Sequence, residues 1–336
     1  MLDLDRLARI RLRHRPDFQR FVGGRLLEPM YRYLPGVDIR FENFEAVQDA
    51  KGPVIFAMNH TDRFNYFPFQ WYLWRKHQGY TAAWVKGKYY EVPLVSHFLE
   101  AAAQIPVPSR GYVIARDFKT ATGRNIQDAE YEAIRVRLDA LMRGELAEGT
   151  RLPESLPAEL QSVSRDMLGV PFDAHKHDYF SHIRDVFAEM MARFVALNQD
   201  ALDKELNLII FPQGTRSIRL SKGHIGIAQM AMYLNVPIVP VGCNGCDRVY
   251  PGNSPFPKRG AITYRFGDAI TPETMTPYRP KEDFAPFNPA DEWRHRDNFL
   301  ALVDVIMHRI NGLLDPCYQF AEDLSSDGVK GTERFL

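Results

Sequence analysis

The alternation of short apolar runs with helical patterns constrains the fold of this chain more than any other feature. Seven apolar runs are predicted as strands; they are Val37–Phe41, Val54–Met58, Thr81–Val85, Ile105–Val107, Leu208–Phe211, Ile238–Val241 and Ile262–Phe266. Helical patterns fill several of the gaps between them, namely Phe67–Gln78, Leu94–Ala103 and Lys222–Leu234. Such alternation is typical of a parallel sheet that is covered on both faces. The sequence therefore predicts an α/β fold with a mostly parallel central sheet flanked by helices.

The pattern changes over residues 115–205. Asp128–Arg143 and Ser181–Leu202 are predicted as helices, whereas Gly149–Asp178 between them is richer in proline, glycine and charge. Long irregular segments inside a compact domain commonly have a functional use. We interpret residues 115–205 as a helical insertion that serves as a lid or as a docking surface.

The α/β domain itself is predicted to span residues 37–315. Its last helix is expected over Glu292–Leu314, after a proline-rich stretch that follows Thr271. Residues 316–336 are interpreted as a polar C-terminal tail, and residues 1–36 as a separate N-terminal element.

Composition argues against several classes of protein. Lysine plus arginine and aspartate plus glutamate number 42 each, so no net charge favours nucleic acid. Three cysteines make no even disulfide framework, which fits a reducing compartment. No apolar run approaches the roughly 20 residues of a spanning helix, and the N-terminus lacks the apolar core of a signal peptide. A cytoplasmic protein is expected, and peripheral contact with the inner face of a membrane is left open.

Two short segments carry residues with chemical capability. They are Asn59–Asn65 and Phe211–Ser217, and each follows a predicted strand. Open α/β sheets bind their ligands just beyond the carboxyl ends of the strands, so both segments are expected there. His60 in the first segment titrates near neutrality and suits a general base. In the second segment a glycine permits a tight turn, and Arg216 presents a planar fork that matches phosphate.

The two segments resemble motifs of the glycerolipid acyltransferases of the lysophosphatidic acid acyltransferase type. That family carries N-H-x4-D and F-P-E-G-T-R-S, where this sequence has N-H-x4-N and F-P-Q-G-T-R-S. Asn65 and Gln213 are thus amides at positions where the family has carboxylates. Two further stretches resemble the family's second and fourth motifs; they are Trp84–Lys86 with Pro108–Arg110, and Val236–Val241.

The resemblance implies transfer of a fatty acyl group from acyl-CoA or acyl carrier protein to the hydroxyl of a lipid acceptor. It implies direct attack by the acceptor, without an acyl-enzyme, a metal or a bound cofactor. His60 would be the general base, and Asn65 would orient its ring by accepting the Nδ1–H. Asp62 is a second candidate for that orienting role, and helix capping is the alternative for it.

The resemblance also implies which residues hold the acceptor. Gly214, Thr215 and Arg216 would bind its phosphate and glycerol. Gln213 can both donate and accept, so it would contact a hydroxyl, a carbonyl or a phosphate oxygen. Two more acceptor-binding residues are expected from the second motif, with a solvated surface position as the alternative for each; they are Lys86 and Arg110.

Residues 1–34 are locally basic, with eight arginines against four carboxylates. Apolar residues recur at helical spacing on both sides of Pro16, which predicts two amphipathic helices. Two interpretations are open: the helices pack on the core and present a solvated basic face, or they dock to anionic lipid or to an acidic acyl carrier protein.

Other functions remain as alternatives. Loss of two carboxylates is also what a lipid-binding or scaffold protein with a degenerate acyltransferase site would show, and a thioesterase-like hydrolase could use the same histidine with water. A single C-x-x-C pair, Cys243 and Cys246, lacks the second pair that zinc requires, so no metal site is predicted. No glycine-rich nucleotide motif occurs, so no cofactor is expected.

Overall fold

A computed structural model describes residues 1–48, 52–77, 79–149 and 151–335. Its strands are β1 (Val37–Glu42), β2 (Ile55–Met58), β3 (Thr81–Lys86), β4 (Ile105–Val107), β5 (Arg165–Met167), β6 (Val170–Phe172), β7 (Asn207–Ile210), β8 (Ile238–Asn244) and β9 (Gly260–Phe266). Over the described residues, seven of them form one sheet in the order β1-β9-β8-β2-β7-β3-β4, and β5 pairs with β6 in a small hairpin. The seven predicted strands are confirmed, with ends that differ by up to three residues.

The large sheet is mostly parallel, as predicted. Every neighbouring pair runs parallel except β8 and β9, which are antiparallel. Alternate residues of β2 enter opposite hydrophobic clusters, with Ile55 and Ala57 on one face and Phe56 and Met58 on the other. Both faces of the sheet are therefore covered, which explains why the central strands are continuous apolar runs rather than alternating ones.

Helices cover the two faces of the sheet. They are α1 (Leu4–Arg9), α2 (Asp17–Phe21), α3 (Glu28–Arg32), α4 (Glu45–Gln48), α5 (Tyr66–His77), α6 (Pro93–Ala101), α7 (Arg110–Thr122), α8 (Asp128–Met142), α9 (Glu159–Ser162), α10 (Tyr179–Asp203), α11 (Gly226–Leu234), α12 (Cys246–Val249), α13 (Pro272–Met275), α14 (Pro289–Arg294) and α15 (Arg296–Gly312). A π-helical turn, Val22–Leu27, joins α2 to α3. Short 3₁₀ turns lie at Gly87–Glu91, Thr276–Tyr278 and Gly331–Arg334.

Two helix predictions need correction. The helix predicted over Lys222–Leu234 begins only at Gly226, because the backbone of residues 220–222 bonds instead to the C-terminal segment. The helix predicted over Glu292–Leu314 is divided into α14 and α15 at His295, whose backbone is not helical.

The segment 115–205 is built into the core of the domain. Its long helix α10 packs against β4 and β7, and its apolar residues belong to the same hydrophobic cluster as the sheet. The polar stretch within it contains α9 and the β5–β6 hairpin, which sequence patterns did not predict. The hairpin is fastened to α7 by a buried ion pair of 2.7 Å between Arg165 and Asp117.

The N-terminal residues form the two helical stretches predicted on either side of Pro16. Leu4 and Leu7 of α1 are buried, and α1 packs against α10. The second stretch also packs on the core through Val22, Leu27 and Tyr31, but Phe21 and Leu34 remain 55% and 84% exposed. Packing on the core thus accounts for α1, whereas docking of the second stretch to a membrane or a protein stays a prediction. None of the described helices combines the length and the apolar character that crossing a membrane requires.

Candidate active site

The two sequence segments meet at the carboxyl edge of the sheet. Strands β2 and β7 are parallel neighbours, so the residues that follow Met58 and Ile210 emerge side by side. The imidazole of His60 stacks on Phe211, with ring centroids 4.1 Å apart. The backbone oxygen of His60 accepts the N–H of Ser217 at 2.8 Å. Segments about 150 residues apart in sequence are therefore joined by direct contacts.

Asn65 fixes the orientation and the tautomer of His60. Its Oδ1 lies 3.1 Å from Nδ1 of the imidazole, and its Nδ2 donates to the backbone oxygen of Asn59 at 2.9 Å. Because the amide nitrogen is occupied by a carbonyl, the oxygen must face the ring and Nδ1 must carry the proton. Nε2 is then the unprotonated nitrogen of the ring.

His60 is neutral at physiological pH. Burial lowers the pKa of its imidazole to about 3, against the hydrogen bond to Asn65, which raises it. The charges of Arg216 and Lys86 lower the pKa of His60 further. A neutral imidazole has an unprotonated nitrogen that can accept a proton. Its pKa of about 3 corrects the expectation of a near-neutral histidine and makes His60 a weaker base than an exposed imidazole, since a general base works best with a pKa near the operating pH.

Asn59 anchors the segment to the neighbouring strand. Its Nδ2 donates to the backbone oxygen of Cys243 at 3.0 Å, and its Oδ1 accepts the backbone N–H of Cys243 at 2.7 Å. The amide therefore takes the place of one further residue pair in the ladder between β2 and β8. Cys243 and Cys246 are both buried thiols, and burial raises the pKa of Cys246. In the described residues no group of three or more metal-binding side chains occurs.

The structure does not bring Asp62 to His60, which corrects the prediction of an orienting role. Its carboxylate accepts the N–H of Phe64 at 2.8 Å and the hydroxyl of Thr61 at 2.9 Å. Both bonds lie within the turn that leads into α5, so the local structural interpretation fits its position. The pKa of Asp62 is raised to about 6, because burial raises it by more than these two hydrogen bonds lower it.

Gln213 is buried and connects the two segments. Its Oε1 accepts the backbone N–H of His60 at 3.0 Å. Its Nε2 donates to the backbone oxygen of Arg219 at 3.4 Å and to the hydroxyl of Ser221 at 3.3 Å. Both halves of the amide are thus engaged inside the protein, and the side chain holds the backbone on which His60 is carried.

Gly214 takes a left-handed conformation in the turn of the second segment. Its φ is +64°, and a Cβ placed there would lie 2.7 Å from Cδ2 of His224. A side chain at this position would therefore meet both backbone strain and a ring. Burial lowers the pKa of His224, and the charges of Arg334 and Lys86 lower it further.

Two cations, Lys86 and Arg216, lie close enough to His60 to lower its pKa, and three more lie near these two. Lys86 is the last residue of β3. Its pKa is lowered to about 8, mostly by burial and to a smaller extent by the charges of Lys88, Arg334 and Arg216. The pKa of Lys88 is lowered by burial first, and then by Arg216 and Arg63. We call these five residues the cationic cluster: Arg63, Lys86, Lys88, Arg216 and Arg334. Across the described residues, no carboxylate forms a salt bridge with Arg63, Lys86, Arg216 or Arg334.

Arg110 is engaged elsewhere. Its guanidinium pairs with the carboxylate of Asp139 on α8 and lies over the ring of Phe187, 5.5 Å from the centroid. The structure therefore ties Arg110 to the packing of α7 on α8 and α10.

Thr215 lies in the turn of the second segment and next to Gly328. A Cβ built on Gly328 would lie 3.1 Å from the hydroxyl oxygen of Thr215.

Sequence reasoning missed three members of the cationic cluster, namely Arg63, Lys88 and Arg334. Arg63 lies between His60 and Asn65, and its guanidinium is 6.0 Å from the centroid of Tyr89. The position of Arg63 inside the first segment was a signal that could have been used. Arg334 carried no such signal, because it comes from the C-terminal residues.

Comparisons with known proteins show a similarity in fold. No protein-family model matches the sequence, and no curated protein matches it. The chain is similar in fold to the crystal structure of the 1-acyl-sn-glycerophosphate (LPA) acyltransferase PlsC from Thermotoga maritima. The sequence identity is 13% and the TM-score is 0.40, with 87% of this chain and 79% of that chain covered. At this level of similarity, conclusions about function rest on the residues of this chain.

Proposed function

We propose that this protein is an O-acyltransferase. It moves a fatty acyl group from an acyl-CoA or acyl carrier protein thioester to the hydroxyl of a lysophospholipid-like or other specialised acceptor. The observation that carries the proposal is the neutral His60, held at Nδ1 by Asn65 and lying near Lys86 and Arg216 of the cationic cluster. A base beside an anion-binding surface, at the carboxyl edge of a parallel sheet, suits an acceptor with both a hydroxyl and an anionic head.

The reaction follows from the tautomer. As the acceptor oxygen bonds to the thioester carbonyl carbon, Nε2 of His60 takes the hydroxyl proton. The tetrahedral oxyanion then collapses, the C–S bond breaks, and the thiolate leaves and takes up the proton from the imidazolium. Throughout, Nδ1–H stays donated to Oδ1 of Asn65, so the ring keeps its orientation although it gains no carboxylate partner.

The acceptor's anionic head is assigned to Lys86 and Arg216, beside the turn of Gly214 and Thr215. Arg216 offers a planar fork to phosphate, and Lys86 supplies a point charge. We assign Gln213 to positioning His60, because its polar atoms are engaged within the protein. Arg110 is assigned to helix packing, because it is paired with Asp139.

The test is an acyl-transfer assay with labelled palmitoyl-CoA and palmitoyl acyl carrier protein, with lysophospholipid acceptors and a total-lipid extract. Wild type, His60→Ala and His175→Ala are compared, since His175 is an exposed histidine far along the chain from both segments. We expect His60→Ala to lose about 10²–10⁴ in rate, the range typical of general bases, and His175→Ala to keep its rate.

Two outcomes would contradict the proposal. Release of free fatty acid without any acceptor, dependent on His60, would indicate a thioesterase. Equal rates for wild type and His60→Ala, in folded proteins, would indicate a binding protein that retains the site without turnover.

A further inference from the structure

The C-terminal strap, residues 326–335, packs onto the second segment. The carboxylate of Asp327 accepts the hydroxyl of Ser217 and the backbone N–H of Ile218, the latter at 3.0 Å. Gly328 lies so close to the backbone oxygen of Arg216 that a Cβ there would collide with it. The turn that carries Arg216 is therefore covered by residues from the far end of the chain.

The end of the strap is anchored on the opposite side of the cationic cluster. The carboxylate of Asp128, at the start of α8, accepts the N–H of Thr332 at 2.8 Å and its hydroxyl at 2.7 Å. The ammonium of Lys88 donates to the backbone oxygen of Glu333 at 2.9 Å. The ring of Phe335 packs where Gly111 has no side chain, so that any Cβ at Gly111 would collide with it.

Arg334 lies between these anchors and adds a cation to the site. Its Nε donates to the backbone oxygen of Gly331 at 3.2 Å, and its side chain is only partly exposed. Its positive charge reaches both Lys86 and His224, since it lowers the pKa of each. Among the described residues Arg334 forms no salt bridge, although its charge helps to lower the pKa of the Asp128 carboxylate, whose main partner is Thr332.

An arrangement of this kind is costly without a ligand. Like charges that converge at a half-buried site repel one another, and the lowered pKa of Lys86 records that repulsion together with burial. An anion bound among the cations would relieve it. Hydrogen bonds from Thr332 to Asp128 and from Lys88 to the backbone oxygen of Glu333 hold the strap in place. They fix a further arginine, Arg334, where the other cations already repel one another.

We propose that Arg334 binds the anionic head of the acceptor, and that docking of the C-terminal strap onto the second segment completes the anion site. This rests on the proposed function for the identity of the ligand, since the acceptor is there inferred to carry phosphate. The strap is thus a part of the substrate site that lies outside both sequence segments.

The test measures binding without turnover. Calorimetric titration of the full chain with glycerol 3-phosphate compares wild type with Arg334→Gln, Arg334→Lys and Lys330→Gln. Lys330→Gln is the matched control, since it removes one positive charge from an exposed position of the same strap. We expect Arg334→Gln to weaken binding about tenfold, which corresponds to 1.4 kcal/mol, and to reduce the dependence of binding on salt. Arg334→Lys should recover part of the affinity, and Lys330→Gln should stay within about twofold of wild type.

A second variant tests the strap itself. Asp327→Ala removes the hydrogen bonds to Ser217 and Ile218. We expect this variant to bind glycerol 3-phosphate more weakly than wild type although Arg334 is still present. Losses in the double variant Asp327→Ala with Arg334→Gln should be less than additive, because both act through the same contact. The proposal is overturned if Arg334→Gln behaves as Lys330→Gln does, if Arg334→Gln and Arg334→Lys are alike, or if wild type does not bind glycerol 3-phosphate. Binding that depends on Arg334 in a protein without acyl transfer would overturn the proposed function alone.

Discussion

The side-chain oxygen of Gln213 accepts the backbone N–H of His60 at 3.0 Å, while its nitrogen faces the backbone oxygen of Arg219 and the hydroxyl of Ser221. One buried amide thus uses its acceptor on one segment and its donor on the loop that follows the other. A carboxylate has the same shape but lacks the donor. The amide is therefore the side chain that this particular arrangement requires.

Gln213→Glu should destabilise the protein and slow it. The glutamate would keep the bond to His60 but would face the Arg219 oxygen with a second acceptor, and its charge would be buried. We expect a loss of about 1–3 kcal/mol in the free energy of unfolding, the usual result of an unsatisfied buried group. We also expect a lower kcat with a nearly unchanged KM for the acceptor. Denaturant unfolding and steady-state kinetics measure these, and a raised KM at constant kcat would instead support the acceptor-binding role that the sequence predicted.

Asn65→Asp should lower activity, although it restores the carboxylate of the family motif. The Nδ2 of Asn65 donates to the Asn59 oxygen at 2.9 Å, and a carboxylate there would face that carbonyl with an acceptor. We expect a stability loss of about 1–3 kcal/mol at pH 8, together with a slower transfer rate. Asn65→Leu serves as the comparison, since it removes both bonds without adding charge. A gain of activity in Asn65→Asp would mean that the native amide is a degenerate remnant.

The affinity for the acceptor should fall as the pH rises through about 8. Lys86 must be charged to bind an anion, and burial with neighbouring cations lowers its pKa to about 8 from an ordinary value near 10.5. The charge is therefore lost earlier than in a free lysine, and kcat/KM for the acceptor, which reports the free enzyme, should decline above pH 8. In Lys86→Arg the decline should disappear, because a guanidinium stays protonated. An unchanged pH profile in Lys86→Arg would remove Lys86 from anion binding.

The lowered pKa of Lys86 affects folding stability in the opposite direction from acceptor affinity as the pH rises. Between about pH 8 and its unfolded value the folded state binds fewer protons at Lys86 than the unfolded state does, so this group favours folding more as the pH rises. Activity and stability should therefore diverge over this range, and thermal unfolding of wild type beside Lys86→Met measures the second effect.

Gly214→Ala should be strongly destabilising, and Gly312→Ala should not. At Gly214 φ is +64° and a Cβ would lie 2.7 Å from His224, whereas at Gly312 the conformation is ordinary and nothing lies within 4 Å of a Cβ. We expect Gly214→Ala to cost more than about 1 kcal/mol and to reduce turnover, since the turn carries Arg216. Gly312→Ala, at the end of α15, should be neutral or stabilising by up to about 1 kcal/mol. Equal melting temperatures for the two variants would show that His224 and the turn adjust freely.

Local sequence determined the frame of the site. The strands could be predicted because a strand buried on both faces is a continuous apolar run, and Val54–Met58 and Leu208–Phe211 are such runs. His60 and Asn65 belong to one loop. The family resemblance implied their contact, and the structure places Nδ1 of His60 3.1 Å from Oδ1 of Asn65. Because β2 and β7 are parallel neighbours, the loops that follow them lie at the same edge of the sheet, and this places the second segment beside the first.

Tertiary structure alone decided which partners those side chains have. Asp62 and Asn65 were both candidates for orienting His60, and only the packing of the turn points one to Phe64 and the other to His60. Arg110 looked available in sequence, but α8 supplies Asp139 to pair with it. The strap that brings Arg334 to the second segment starts more than 100 residues further along the chain and carries no apolar pattern of its own. Spacing and periodicity describe neighbours along one element, whereas hydrogen bonds and charges act on whatever the folded chain places within a few ångströms.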